Sequence, residues 1–126
     1  METIGKVADK VGLTTYTLRY YEKEGLIPEI YKNDQGVRLY TQDNIIWIEI
    51  VKCLKETGMP ISDIKKMIAL SLEGNSTIGA RKKILYEHRT IVEAQIKALE
   101  ESRARIDWKL DYYTQLEKEE KINNNY

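Results

Sequence analysis

The sequence has a single cysteine, only two prolines and no phenylalanine among its 126 residues. One cysteine cannot form an internal disulfide, and a chain without a disulfide framework fits a reducing compartment. No run approaches the roughly 18 apolar residues of a membrane span, and the charged start METIGKVADK lacks the apolar stretch of a signal peptide. These absences predict a cytoplasmic protein with no membrane partner.

Net charge is also missing, because 20 basic and 20 acidic side chains cancel. The excess of basic residues found in many nucleic-acid-binding proteins is absent from the overall composition. Any DNA-binding interpretation must therefore depend on the pattern of residues along the sequence. A hydrophobic content of 42% suffices for a core, whereas 32% charged residues and few prolines favour a helix-rich molecule. We expect one small domain and an extended element.

Catalytic and metal-binding patterns are scarce as well. Cys53 and His88 are the only classical nucleophile and base, they belong to different predicted segments, and there is no glycine-rich phosphate loop. One histidine alone is no metal site, so His88 is interpreted as a helix-surface or dimer-seam residue. We expect no enzymatic activity, no cofactor and no bound metal.

The N-terminal part predicts two short helices joined by a tight turn. Apolar residues at positions 4, 7, 8 and 11 form one stripe between an N-cap at Thr3 and a stop at Gly12. Thr14 then caps a second helix that runs through Glu24 to Gly25. Two such helices across a glycine turn are typical of a helix-turn-helix.

A turn-forming stretch at residues 33–36 lies between two short apolar runs and predicts a β-hairpin wing. Strand alternation predicts that Val37 and Leu39 face the core, while Arg38 and Tyr40 face outward together.

Two further amphipathic helices follow the wing, one between the cap Thr41 and Gly58, the other after Pro60. Residues 73–77 break the pattern, so the predicted domain boundary separates a head at 1–72 from a last helix at 78–119, with a disordered tail at 120–126. The apolar face of the third helix is assigned to Ile46, Trp47, Ile50, Val51 and Leu54.

The last helix carries an apolar residue at every seventh position: Ile78, Leu85, Val92, Leu99, Ile106 and Tyr113. At 1.5 Å per residue it would be about 60 Å long, too long for the head to cover, so we expect a second copy to bury it. The second heptad position is mostly polar, which favours a short antiparallel contact over a regular zipper. The predicted fold is mainly α: a winged helix-turn-helix head of four helices and a β-hairpin, then a long antiparallel coiled-coil helix that joins a homodimer.

One face of the second helix carries groups suited to DNA. Arginine can bind a guanine edge or a phosphate, Thr and Tyr hydroxyls reach phosphates, and a helix N-terminus adds backbone donors. Taken singly, these residues are more simply explained by a surface pair of Arg19 with Glu22 and by tyrosine packing. The apolar stripe of the first helix, the glycine turn, the polar second helix and the wing occur in this order, and the combination favours DNA binding. Arg19 is expected to lie closest to the bases. The predicted contacts are Thr15, Tyr16, Arg19, Tyr20, Arg38 and Tyr40, the last two on phosphates.

Residues 2 to 72 resemble the MerR family of transcriptional regulators. The resemblance lies in IGKVADKVGLTTYTLRYYEKEGLI, GVRLYTQDNI and LKETGMPISDIKKMI, above all in Arg-Tyr-Tyr-Glu at 19–22 and Arg-Leu-Tyr at 38–40. It implies a homodimer that binds a pseudo-palindromic promoter operator, between promoter elements spaced too far apart for RNA polymerase. Bending and untwisting the DNA would realign them.

Cys53 is the only thiol in the sequence and the remaining candidate for a reactive side chain. Lys52 and Lys55 flank it, and cationic neighbours favour a reactive thiolate. Its spacing to Ile46 and Ile50 also fits a small buried core residue, which chemistry alone favours. The stretches KCLKETGMPISDI, STIGARKKIL and IDWKLDYY are similar to the short, aldehyde- and electrophile-responsive AdhR/NmlR branch of the family. This similarity implies that reactive carbonyls such as formaldehyde or methylglyoxal modify Cys53 and shift the bound dimer to an activating conformation.

Two other functions are consistent with the same pattern. A DNA-binding architectural or excision-type protein shares the winged helix but does not activate promoters. A protein-interaction module would explain the neutral net charge and the exposed seam of the last helix.

Overall fold

The structure, a computed structural model, describes residues 1–124, with side chains described through Lys121. Its helices and strands confirm the predicted mainly helical fold with a small sheet and a long last helix. In chain order they are β1 (Glu2–Thr3), α1 (Ile4–Val11), α2 (Thr15–Lys23), β2 (Tyr31–Lys32), β3 (Arg38–Tyr40), α3 (Gln42–Glu56), α4 (Ile61–Leu72), a 3-10 turn (Asn75–Thr77) and α5 (Ile78–Asn124).

The turn between α1 and α2 has the predicted caps. Gly12 ends α1 with a φ of 69°, in the left-handed region that favours glycine. Lys52 of α3 donates from Nζ to the carbonyl oxygen of Val11 at 2.8 Å, which satisfies an acceptor at the end of α1. The Thr14 side chain accepts from the amide of Thr17 at 3.1 Å and caps α2. These contacts fix α2 on the head.

The sheet has three antiparallel strands in the order β1, β3, β2. The predicted hairpin is β2 and β3, and its turn is closed by the Asn33 side chain, which accepts from the amides of Gln35 and Val37 at 2.9 and 3.0 Å. The sequence did not predict β1, because two residues show no alternation. β1 covers the second edge of β3, pairing Glu2 with Tyr40.

The core of the head lies between α1, α2, α3 and α4. On α3 the buried stripe is Ile45, Ile48, Val51 and Leu54. The predicted apolar face was therefore partly wrong, since Ile46 is 50% and Ile50 is 42% exposed. α3 has apolar residues on two faces, and only one of them packs into the head.

The head is one compact unit that extends through Tyr86, and residues from Glu87 form a second unit. The helical break does occur near Gly74, but the first turns of α5 belong to the head because Ile84 packs against its core. Arg81 reinforces this part of the head by donating from Nη2 to the carbonyl oxygen of Gly74 at 3.1 Å.

α5 comprises 47 residues and continues through Asn124, beyond the predicted end at 119. The predicted tail is thus helical at 120–124, while residues 125 and 126 lie outside the described part. Glutamate and lysine at 117–121 are good helix formers, and no glycine or proline ends the helix. Within residues 1–124, no helix combines the length and apolar character needed to cross a membrane.

Candidate nucleic-acid interface

The exposed face of α2 gathers two cations and two tyrosines. Tyr16, Arg19, Tyr20 and Lys23 line a shallow groove of about 240 Å³. Tyr16 projects furthest, with 79% of its surface exposed. Lys23 was not predicted, although its spacing of seven residues from Tyr16 places it on the same face. Thr15 is half-buried in the first turn, beside the free amides of the helix N-terminus.

A lysine of α3 packs over the ring of Tyr20. The Lys55 ammonium of α3 lies 5.1 Å from the centroid of the Tyr20 ring and 5.4 Å from that of Tyr21. Tyr21 is buried, and its burial raises the pKa of its hydroxyl, with a further rise from the Glu56 carboxylate. The two tyrosines thus differ in function: Tyr21 anchors α2, whereas Tyr20 is on the exposed face.

The wing is joined to α2 by an ion pair. Arg38 Nε donates to Glu22 Oε2 at 2.6 Å, and both side chains are partly buried. This bond uses Nε, so the two terminal Nη groups remain for another acceptor. Arg38 is therefore oriented next to the α2 face, although it does not point freely into solvent as predicted.

The prediction that Tyr40 faces outward was wrong. Its side chain is fully buried, so it does not reach a phosphate. Arg38 and Tyr40 do share a face of β3, but that face turns toward α2, where Glu22 influences both. Burial raises the pKa of Tyr40, and Glu22 raises it further, while Arg38 and Arg19 oppose the rise. Among the described residues its hydroxyl has no hydrogen-bond partner.

The interpretation of Cys53 as a buried core residue was also wrong, because the thiol is exposed. Cys53 follows Ile46 and Ile50 on the exposed face of α3. Its two cationic neighbours are bound elsewhere: Lys52 to the Val11 carbonyl, Lys55 over the tyrosine rings of α2.

His88 is not a helix-surface residue, since only 7% of it is exposed. In the part of the chain that the structure describes, no three or more His, Cys, Asp or Glu side chains cluster in a way that could hold a metal ion.

Comparison with known proteins identifies the relatives of this head. The family model described as MerR HTH family regulatory protein matches residues 3–70, and a second one, described as MerR, DNA binding, matches residues 46–109. An uncharacterized HTH-type transcriptional regulator of Haemophilus influenzae is 35% identical over 111 residues, 88% of this chain and 82% of that protein. The HTH-type transcriptional regulator AdhR of Bacillus subtilis is 44% identical over 86 residues, 68% of this chain and 61% of AdhR.

Solved structures show the same similarity. The structure of HiNmlR, a MerR family regulator lacking the sensor domain and bound to promoter DNA, matches with a TM-score of 0.80 and 34% identity over 90% of both chains. These relatives are transcriptional regulators and not enzymes, in agreement with the expectation from the sequence.

Proposed function

This chain belongs to the MerR family of DNA-binding transcriptional regulators, and we propose that it binds a pseudo-palindromic promoter operator as a homodimer and activates transcription by distorting the DNA. The observation that carries the proposal is the exposed α2 face, on which Tyr16, Arg19, Tyr20 and Lys23 lie together. Promoter DNA, a second copy and RNA polymerase are the partners, and the location is cytoplasmic.

In this proposal α2 enters the major groove and Arg19 lies closest to the bases. Arginine presents paired donors to a guanine edge, whereas lysine and tyrosine suit phosphates. Although the net charge of the chain is zero, the local charge is not, since Arg19 and Lys23 are exposed on α2 while Glu22 is paired with Arg38. The exposed face of α2 therefore carries the positive charge that the net charge of the whole chain does not show.

Homodimer formation is supported by the exposed row on α5. Of its six members, Leu99 is 71%, Ile106 is 60% and Tyr113 is 51% exposed in the single chain. Exposed apolar residues at heptad spacing along so long a helix are typical of a surface that another helix covers.

Two heads bound to one DNA duplex allow the dimer to activate transcription by distorting the DNA. Each head carries an α2 face and a wing with Arg38, so contacts on both sides of an uncontacted centre can offset the deformation energy of the DNA. HiNmlR, which is described as bound to promoter DNA, supports the DNA-binding part of this proposal.

The signal that we propose is a reactive aldehyde, sensed by Cys53. The sulfur adds to the carbonyl carbon, and the carbonyl oxygen takes up the thiol proton, giving a hemithioacetal. Nothing leaves and no oxidation state changes, so no co-reactant is needed. The exposure of this one thiol supports the proposal, as does the resemblance of the sequence to the short, aldehyde-responsive branch of the family.

The experiment is transcription in vitro with purified RNA polymerase from the promoter upstream of the protein's own gene, with and without formaldehyde. Wild type and Cys53→Ala are compared, and adducts are followed by intact-protein mass spectrometry. We expect an adduct and increased transcription with wild type only. Activation that persists in Cys53→Ala would reject Cys53 as the sensor, and operator binding that never stimulates transcription would indicate an architectural protein.

A further inference from the structure

One lysine of α3 lies against two consecutive tyrosines of α2. The Lys55 ammonium is 5.1 Å from the centroid of the Tyr20 ring and 5.4 Å from that of the Tyr21 ring. The two rings are tilted by 56°, and their centroids are 6.4 Å apart. Both distances from the ammonium are within the range of a cation–π interaction, and Lys55 is half-buried, which strengthens such a contact.

Tyr21 depends little on this contact. Only 4% of it is exposed, and it belongs to the hydrophobic core of the head. Close packing holds a buried aromatic ring in place, so a cation beside it adds little to its position. The contact of Lys55 with Tyr21 therefore places the ammonium against a fixed ring.

Tyr20 differs from Tyr21 because 36% of it is exposed and it lines the groove on the α2 face. A side chain at the surface can exchange between rotamers, and it loses that freedom when it binds a ligand. The contact with Lys55 favours one orientation of the Tyr20 ring before any DNA is present. Lys55 thus orders a side chain that packing alone does not hold.

The other lysine of α3 has a different partner. Lys52 Nζ donates to the carbonyl oxygen of Val11 at 2.8 Å and lies 4.0 Å from Oε1 of Glu56. Lys52 therefore holds the end of α1, whereas Lys55 contacts the rings of α2. Through these two lysines α3 contacts both helices of the helix-turn-helix.

We propose that Lys55 is a positioning residue for operator binding, because it holds the Tyr20 ring in the orientation in which its hydroxyl meets a phosphate oxygen. This inference rests on the DNA-binding function proposed above for the α2 face. Lys55 does not bind the DNA itself and acts only through the Tyr20 ring. Its contribution to affinity must therefore disappear when that ring is removed.

A double-variant cycle on operator binding by the full chain tests the proposal. Lys55→Met keeps a long side chain without its charge, and it should weaken binding about tenfold because both heads of the dimer lose the contact. Lys55→Arg keeps a cation over the ring and should restore binding to within about twofold of wild type. Tyr20→Leu alone should lose at least as much affinity as Lys55→Met, and adding Lys55→Met to it should cause no further loss.

Lys118→Met is the matched control for charge. Lys118 is an exposed lysine in the second unit of the chain, and its replacement changes the net charge by the same amount. It should bind the operator like wild type. Because the Tyr20 hydroxyl is uncharged, the dependence of affinity on salt concentration should be the same for Lys55→Met and Lys118→Met.

Three results would overturn the positioning role. The first is wild-type affinity of Lys55→Met, and the second is an equal loss with and without the Tyr20 ring. The third is a weaker salt dependence of Lys55→Met than of the control, which would mean that Lys55 neutralises a phosphate itself. Thermal unfolding is measured in parallel, and a Lys55→Met chain that does not fold would make Lys55 a structural residue and overturn the proposal as well.

Arg19→Ala in the same series separates this inference from the proposed function. If Arg19→Ala and Lys55→Met both bind like wild type, the α2 face does not bind the operator and the proposed function fails. If Arg19→Ala loses affinity and Lys55→Met does not, the α2 face binds DNA and only the role of Lys55 is overturned.

Discussion

Arg38 Nε lies 2.6 Å from Glu22 Oε2, and this ion pair joins the wing strand β3 to helix α2. The pair has a geometric consequence for DNA binding. A flexible arginine loses side-chain freedom when it binds a phosphate, whereas Arg38 is already held with its Nη groups available. Glu22 acts as a positioning residue for Arg38.

The first prediction concerns this pair. Arg38→Ala should weaken operator binding five- to tenfold and reduce the salt dependence by about one phosphate contact. Glu22→Ala should produce a loss of similar size, because Arg38 is then no longer oriented, and the double variant should bind no more weakly than Arg38→Ala. Binding isotherms at several salt concentrations measure both quantities. Tighter binding by Glu22→Ala would mean that Glu22 withholds Arg38 from the DNA.

The second prediction concerns the buried hydroxyl of Tyr40. A buried polar group without a partner costs about 1 to 3 kcal/mol. Tyr40→Phe removes that group and keeps the ring, so the free energy of unfolding should rise by about 1 kcal/mol in urea denaturation. Operator affinity should not change. Loss of affinity at unchanged stability would restore Tyr40 to the DNA interface.

The third prediction compares two glycines of α1 and its turn. Gly12→Ala should destabilise the head by about 1 to 2 kcal/mol, because L-residues avoid its φ of 69° and a Cβ there would lie 3.2 Å from Lys52 Nζ. Gly5→Ala is the control: an added Cβ meets nothing within 4 Å, so the better helix former should stabilise α1 by roughly 0.5 to 1 kcal/mol. Thermal unfolding of both variants distinguishes backbone strain at Gly12 from a general intolerance of α1 to substitution.

The fourth prediction separates packing from chemistry on α3. Cys53 is exposed, so Cys53→Ala should change the free energy of unfolding by less than about 0.5 kcal/mol. Val51, two residues earlier, is fully buried, and Val51→Ala should cost about 2 kcal/mol. A large loss of stability in Cys53→Ala would assign that residue a structural role, and any loss of aldehyde response would then be ambiguous.

The sequence predicted the α1–α2 turn because its signals are local. Gly12 and Thr14 specify their caps through backbone conformation and one side-chain bond, and neither depends on distant contacts.

Features that depend on tertiary contacts were not predictable in this way. β3 has three residues, so alternation showed that Arg38 and Tyr40 share a face but not which face is buried. Glu22, sixteen residues earlier, makes it possible for that face to turn inward by pairing with Arg38. The apolar residues on both sides of α3 posed the same ambiguity, because the face with Ile46, Ile50 and Cys53 also fitted a buried position, and it is exposed.

The most direct test of the account is operator binding by Arg19→Ala, measured on the natural operator and on variants with single base changes. Arg105→Ala is the matched control, because Arg105 is exposed on α5. The account predicts that Arg19→Ala loses affinity and relaxes preference at one base position per half-site, while Arg105→Ala binds like wild type. Equal binding by Arg19→Ala and wild type on every operator would contradict the claim that α2 reads DNA.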